Sequence, residues 1–180
     1  MRLRWKSPRG DVMTTDWRDV DTTYCGVGAC ADILSDRWSI LILRDILAGV
    51  TRFRELQGHI GISPAGLSKR LKQLAEAGIV VTKDYQEPGQ RKHAEYQITE
   101  RGYGLVPAIV SFGQFGYDHL VPPEVSPFRY VDRNTGQAVR VELVREDGQV
   151  IKLEDLQLDI SEDAIKPGFH APTSRNRQPE

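Results

Sequence analysis

The strongest constraint on the fold is the run Ser63-Pro64-Ala65-Gly66-Leu67-Ser68-Lys69-Arg70-Leu71-Lys72-Gln73-Leu74. Ser63 is a good helix N-cap, because its hydroxyl can accept a backbone N–H that the helix leaves unpaired. Pro64 suits the first helical position, where its missing N–H costs nothing. At about 100° per residue, Leu67, Leu71 and Leu74 fall within about 60° of one another, a narrow seam that must meet a core. The opposite face holds Ala65, Lys69 and Lys72, with Ser68 and Gln73 beside it, while Arg70 projects to the flank. Gly78 ends the helix.

The neighbouring segments supply what the seam needs. Val27, Cys30, Ala31, Ile33 and Leu34 fit one face of a short helix, and Ser35 or Asp36 can cap the next, from Trp38 to about Leu47. The stretch from Trp38 to Leu43 is apolar nearly all round, but its continuation to Leu47 and the stop at Gly49 favour a buried helix over a strand. Thr51 is expected to cap a third helix in which Phe53, Leu56 and Ile60 share a face, with Gly58 and Gly61 at its end. After the proline-started fourth helix come two β-type runs, Ile79 to Tyr85 and Ala94 to Ile98, joined by a basic loop, Glu87 to His93. Thr99 caps a final long helix carrying Leu105, Ile109, Phe112 and Phe115, made irregular by Gly102, Gly104, Pro107 and Gly113.

Beyond Pro122-Pro123 the apolar period switches to two. Arg133-Asn134-Thr135-Gly136-Gln137 is echoed by Arg145-Glu146-Asp147-Gly148-Gln149, which predicts a small β-meander with two tight turns. The expected organisation is a flexible tail over 1–23, with Met13 an alternative start, a main domain over 24–120, a β-rich extension over 121–160 and a disordered tail over 161–180. The fold class is α+β.

A net charge of −1 over 180 residues argues against a globally basic nucleic-acid binder, but the charge is not evenly spread. Between Thr51 and His93 eight basic residues stand against four acidic ones, a net +4, and the balance reverses after Leu120. Each basic cluster taken singly suits an ordinary solvated face. Together they converge on the outer face of one helix and the tip of one hairpin. Small Ala65 permits close approach, Ser68 and Gln73 can hydrogen-bond to base edges or phosphates, and Lys69 and Lys72 neutralise phosphates or reach guanine. Ser63 and Pro64 open that helix. Arg70 is expected to clamp the backbone or hold the hairpin, Arg52 and Arg54 to touch phosphates, and Arg91, Lys92 and His93 to meet the adjacent minor groove or its backbone. The order helix, helix, turn, helix, basic hairpin, long helix is a winged helix-turn-helix.

Other classes find little support. The chain has no Gly-x-Ser-x-Gly motif and no phosphate loop, so no enzyme is expected. Cys25 and Cys30 and four scattered histidines do not form a metal site, and no cofactor is expected. No apolar run approaches the roughly 20 residues of a membrane span. The basic N-terminus lacks the apolar stretch of a secretory signal, so a cytoplasmic location is expected. A winged helix used for protein interaction, with the acidic extension as docking surface, is the competing reading. The four cations Lys69, Lys72, Arg91 and Lys92 argue against it.

Tyr24-Cys25, Asp36-Arg37-Trp38-Ser39-Ile40-Leu41-Ile42-Leu43-Arg44-Asp45, Arg52-Phe53-Arg54-Glu55-Leu56, Gly61-Ile62-Ser63 with Leu67-Ser68-Lys69-Arg70-Leu71-Lys72-Gln73-Leu74, and Tyr96-Gln97-Ile98-Thr99 together resemble the HxlR-type transcriptional regulators, a MarR-like group. The resemblance covers about Tyr24 to Leu120. It implies a homodimer formed through the N-terminal and long C-terminal helices, with one winged unit on each half of a pseudo-palindromic operator in double-stranded DNA. Some members of that group sense redox effectors, oxidants or electrophiles, through a cysteine at the start of the domain, here Cys25, whereas free cysteines such as Cys25 and Cys30 more often serve as small apolar packing residues. At i and i+5 on a helix Cys25 and Cys30 point about 140° apart, which does not favour a disulfide between them. A small-molecule effector pocket between the dimer helices would draw on Trp38, Phe112 and Phe115, although aromatic residues at helical spacing are more often core.

Overall fold

A computed structural model of the chain describes residues 20–34, 36–86, 93–125, 128–156 and 158. The order is α1 (Gly26–Ile33), α2 (Arg37–Leu47), α3 (Phe53–Ile60), α4 (Pro64–Glu76), β1 (Val80–Tyr85), β2 (His93–Ile98), α5 (Glu100–Tyr103) and α6 (Val106–His119). The chain divides into two compact units, one holding Asp32–Val141 and the other the flanking segments up to Ala31 and from Glu142.

In the first unit, Asp36 starts α2 by accepting from the backbone N–H groups of Trp38 at 2.7 Å and Ser39 at 3.1 Å. Ile42, Leu43 and Ile46 of α2 then meet Leu56 of α3, Leu67, Leu71 and Leu74 of α4, Ile62 in the intervening turn, Ile79 and Val80 at the start of β1, and Ile109 of α6. Ile42, Leu56, Leu67 and Leu74 are fully buried, so α2 is the central helix of a core that the leucine seam of α4 closes. Burying one such side chain is worth about 1.5–3 kcal/mol.

Three local devices set the geometry around α4. Gly61, at φ +73°, ends α3 in the left-handed conformation that favours glycine, and its N–H returns to the Gln57 carbonyl. Ser63 caps α4 by accepting from the Gly66 N–H at 3.2 Å. Gly78, at φ +67°, turns the chain out of α4, and the Ile79 N–H donates to the Leu74 carbonyl at 2.9 Å.

β1 and β2 pair antiparallel from Val80↔Ile98 to Tyr85↔His93. Thr51, expected as the cap of α3, has another task. Its carbonyl accepts from the Tyr96 N–H at 2.8 Å and Arg52 bridges Glu95, so the segment before α3 runs along β2. Arg52 therefore occupies the N-cap position, with no side-chain cap.

The long C-terminal helix is present over 100–119 in two segments. Thr99 caps α5 by accepting from the Gly102 N–H at 3.0 Å, and its hydroxyl donates to the Gly78 carbonyl at 2.7 Å. The chain turns at Gly104-Leu105, and α6 restarts with Pro107 in its first turn, where proline is tolerated. Further on, Asp132 and Gln137 close a turn around Gly136, and the Val141 N–H donates to the Gln114 side chain on α6 at 3.0 Å.

The second unit contains most of α1 and a second turn around Gly148, in which the Arg145 N–H donates to the Gln149 carbonyl at 2.9 Å and Val144 bridges Val150. The expected meander is thus two tight turns, each with one bridge. α1 has no buried residue, and Val27, expected on its apolar face, is 79% exposed.

Candidate nucleic-acid interface

The outer face of α4 follows from its inner one. With Leu67, Leu71 and Leu74 fixed in the core, Ala65, Ser68, Lys69, Lys72 and Gln73 are all exposed, as are Ser63 and Pro64 at the helix start. The first turn of α4 carries no acidic residue, so the partial positive charge of the helix N-terminus is not neutralised locally. Lys72 approaches Glu76 at 3.7 Å, but both side chains are more than three-fifths exposed. Such an i,i+4 pair is worth about 0.3–0.5 kcal/mol and gives way easily to a stronger anion. The surface combines two lysines, a hydroxyl, an amide and one alanine on a single rigid helix.

Arg70, on the flank of α4, has partners in two helices. Its guanidinium lies 2.7 Å from the Asp36 carboxylate, with both side chains about one-fifth exposed, and it donates to Gln73 Oε1 at 2.8 Å. The residue therefore ties α4 to the N-cap of α2. Because Asp36 already caps α2 through its other oxygen, one carboxylate joins two helices. Sequence reasoning offered Ser35 or Asp36 as the cap and missed this second partner of Asp36.

Arg54 is exposed on α3, and Arg52 is half-buried at its start, with its guanidinium 3.9 Å from Glu55. Arg91 and Lys92 lie outside the described residues, and of His93 only the strand pairing with Tyr85 is described. Lys83, exposed on β1 opposite Glu95, was not among the expected contacts.

Cys25 is half-buried just before α1 and Cys30 is exposed, both as free thiols. The three aromatics expected around an effector differ in their surroundings within one chain. Trp38 packs against the core with Arg37 stacked 4.7 Å from its ring, whereas Phe112 and Phe115 stand 57% and 56% exposed on α6. A cavity of about 540 Å³ lies between the end of α2, His59, α6 and residues 128–130. Among the described residues no cluster of metal-ligating side chains forms and no helix is long and apolar enough to cross a membrane.

The profile of the HxlR-like helix-turn-helix family matches residues 33–124. The chain is 36% identical over 111 residues to Rv3095 of Mycobacterium tuberculosis, an uncharacterized HTH-type transcriptional regulator, covering 62% of this chain and 69% of that protein. It is 34% identical over 97 residues to sll1512 of Synechocystis, described in the same words, covering 53% of this chain and 70% of that one. Among solved structures, the candidate transcription factor PA1607 is similar with a TM-score of 0.67 at 34% identity, over 76% of this chain and 95% of its own. A second candidate transcription factor, PA1374 from Pseudomonas aeruginosa, gives a TM-score of 0.53 at 27% identity, over 78% of this chain and 98% of its own.

Proposed function

The chain belongs to the HxlR-like helix-turn-helix family of transcriptional regulators, and from that premise we propose that it is a homodimer that binds double-stranded DNA sequence-specifically, laying α4 in the major groove. The observation that carries this reading is the division of α4. Its three leucines are buried and its lysines, Ser68 and Ala65 all face solvent on the other side. A helix presented this way fits the major groove, which is about 12 Å wide, and offers donors both to phosphates and to base edges.

The rest of the surface is assigned by its position around α4. Arg54 and Arg52, at the helix before it, serve phosphates. Arg91, Lys92 and His93, on the hairpin, serve the adjacent minor groove or its backbone. Phe112 and Phe115, one helical turn apart and exposed on α6, give a second copy an apolar face to cover. A two-fold dimer reads a two-fold operator.

Selection of binding sites from a randomised duplex library at physiological salt tests the whole reading. An inverted repeat should be enriched, with half-site centres one helical turn apart, about 10–10.5 base pairs, or a multiple of it. Recovery of unrelated sequences with no shared half-site would overturn it.

A further inference from the structure

The cavity of about 540 Å³ in the first unit has the size of a small-molecule site, which commonly spans about 300–1,000 Å³. Its walls come from four places: Leu47 and Ala48 at the end of α2, the last turn of α3, Ile109 on α6, and Phe128 from the segment that follows the family region. These side chains, with the rings of Tyr117 and Tyr130, make a mostly apolar lining. Tyr130 also packs on α6, where Gly113 leaves room for it; a Cβ there would sit 3.0 Å from the Tyr130 ring.

The polar groups sort by sign. The one anion, Asp45, is almost wholly buried and already taken. One oxygen accepts from Arg44 Nε at 2.8 Å and the other meets His59 Nδ1 at 2.6 Å. Among the described residues the Arg129 guanidinium and the hydroxyls of Tyr117 and Tyr130 have no hydrogen-bond partner, and all three line the cavity. Burial pushes the Tyr117 phenol up and neighbouring Tyr130 adds to this, with Arg44 opposing, so the hydroxyl keeps its proton as a donor. The site therefore offers unused donors and one unused positive charge, while its single carboxylate is saturated.

We infer that this cavity binds an apolar monocarboxylate, with its body against Leu47, Ile109 and Phe128 and its carboxylate on Arg129 and the two tyrosine hydroxyls. An ammonium ligand would find only the neutral phenol oxygens, since the one carboxylate is held by Arg44 and His59, and would meet Arg129 as a like charge. A neutral amide would forgo the charge-assisted contact, which is roughly twice as strong as a neutral one. The guanidinium of Arg129 has the planar fork that suits a carboxylate.

Calorimetric titration of the full chain without DNA, using naphthaleneacetate, naphthaleneacetamide and naphthylmethylamine, tests this separately from the DNA reading. The carboxylate should bind about ten-fold or more tightly than either analogue. Arg129→Ala, at an exposed position whose replacement leaves the core intact, should lose a similar factor, and Tyr117→Phe a smaller one. Ala48→Phe should block binding by filling the cavity. Equal binding of the amine or the amide would overturn the assignment, as would an affinity unchanged by Arg129→Ala or no heat with millimolar carboxylate. Operator selection is scored in a separate experiment, so either result can fail alone.

Discussion

Arg70 is the residue whose role differs most from its appearance in the sequence. It stands in the basic run of α4, yet it is held by Asp36 and in turn holds Gln73. A guanidinium can only donate, so the Gln73 atom facing it must be the carbonyl oxygen, and the amide N–H groups are left as donors. In that state the free Gln73 amide donors suit an acceptor edge such as guanine O6 or thymine O4, and the two-way contact with adenine would have to share the Oε1 already held by Arg70. Arg70→Met should cost about 1–3 kcal/mol, because it leaves the half-buried Asp36 without its ion pair, and should also shift base preference at one operator position. Urea midpoints and repeated site selection would check the two parts. The distinction between Arg70 and Lys69 was half legible. The helical wheel put Arg70 on the flank, but its partner lies in a different helix, and no local pattern announces a contact so distant in sequence.

At the scale of elements, the seam and the caps were readable because they are local. Ser63, Pro64 and three leucines at helical spacing specified α4, and of the two caps the sequence offered for α2, Ser35 and Asp36, it is Asp36 that caps it. What escaped was set by tertiary pairing. Thr51 has the chemistry of a cap but is drawn onto β2 by the Tyr96 N–H. Gly102 looked like an irregularity in a long helix and is instead a site of close approach. A Cβ there would come within 2.3 Å of the Ile79 carbonyl oxygen and 2.8 Å of Ile98. Gly102→Ala should therefore destabilise by about 1–3 kcal/mol or more, where an alanine in an open helix would stabilise, and thermal melts decide the sign.

The turn around Gly136 makes a second prediction at this scale. Asp132 accepts from the Thr135 N–H at 2.9 Å and the Asn134 N–H at 2.6 Å. These bonds favour the ionised form and hold the carboxyl below its ordinary value of 3.8. A depressed carboxylate stabilises the turn at pH above that ordinary value, and the contribution is lost as pH falls through the lower folded-state value. Amide shifts of Asn134 and Thr135 should stay constant from neutral pH and move only in strong acid. Movement centred above 3.8 would contradict the geometry.

For the whole molecule, an almost neutral chain hides a polar division of labour. The stretch from Thr51 to His93 is net +4 within a total of −1. A single net charge could not reveal this, and the family region, residues 33–124, covers only about half of the chain. The extension was legible as two glycine turns, but not the part of it that supplies Phe128, Arg129 and Tyr130 to a cavity, since no periodic pattern marks a wall built from four segments. Dimer formation belongs to this scale as well. Phe112→Asp with Phe115→Asp should shift sedimentation from dimer to monomer with little change in the fold, because neither ring is in the core.

The central claim is that the exposed lysines of α4 meet DNA phosphates or bases, and the salt dependence of operator affinity tests it most directly. Each phosphate neutralised by a lysine contributes about −0.9 to the slope of log affinity against log salt. The wild type should show a steep negative slope, and the Lys69→Ala/Lys72→Ala variant should bind more weakly with a slope shallower by up to about two. A double variant that binds as tightly as the wild type with the same slope, or a wild-type affinity indifferent to salt, would contradict the account.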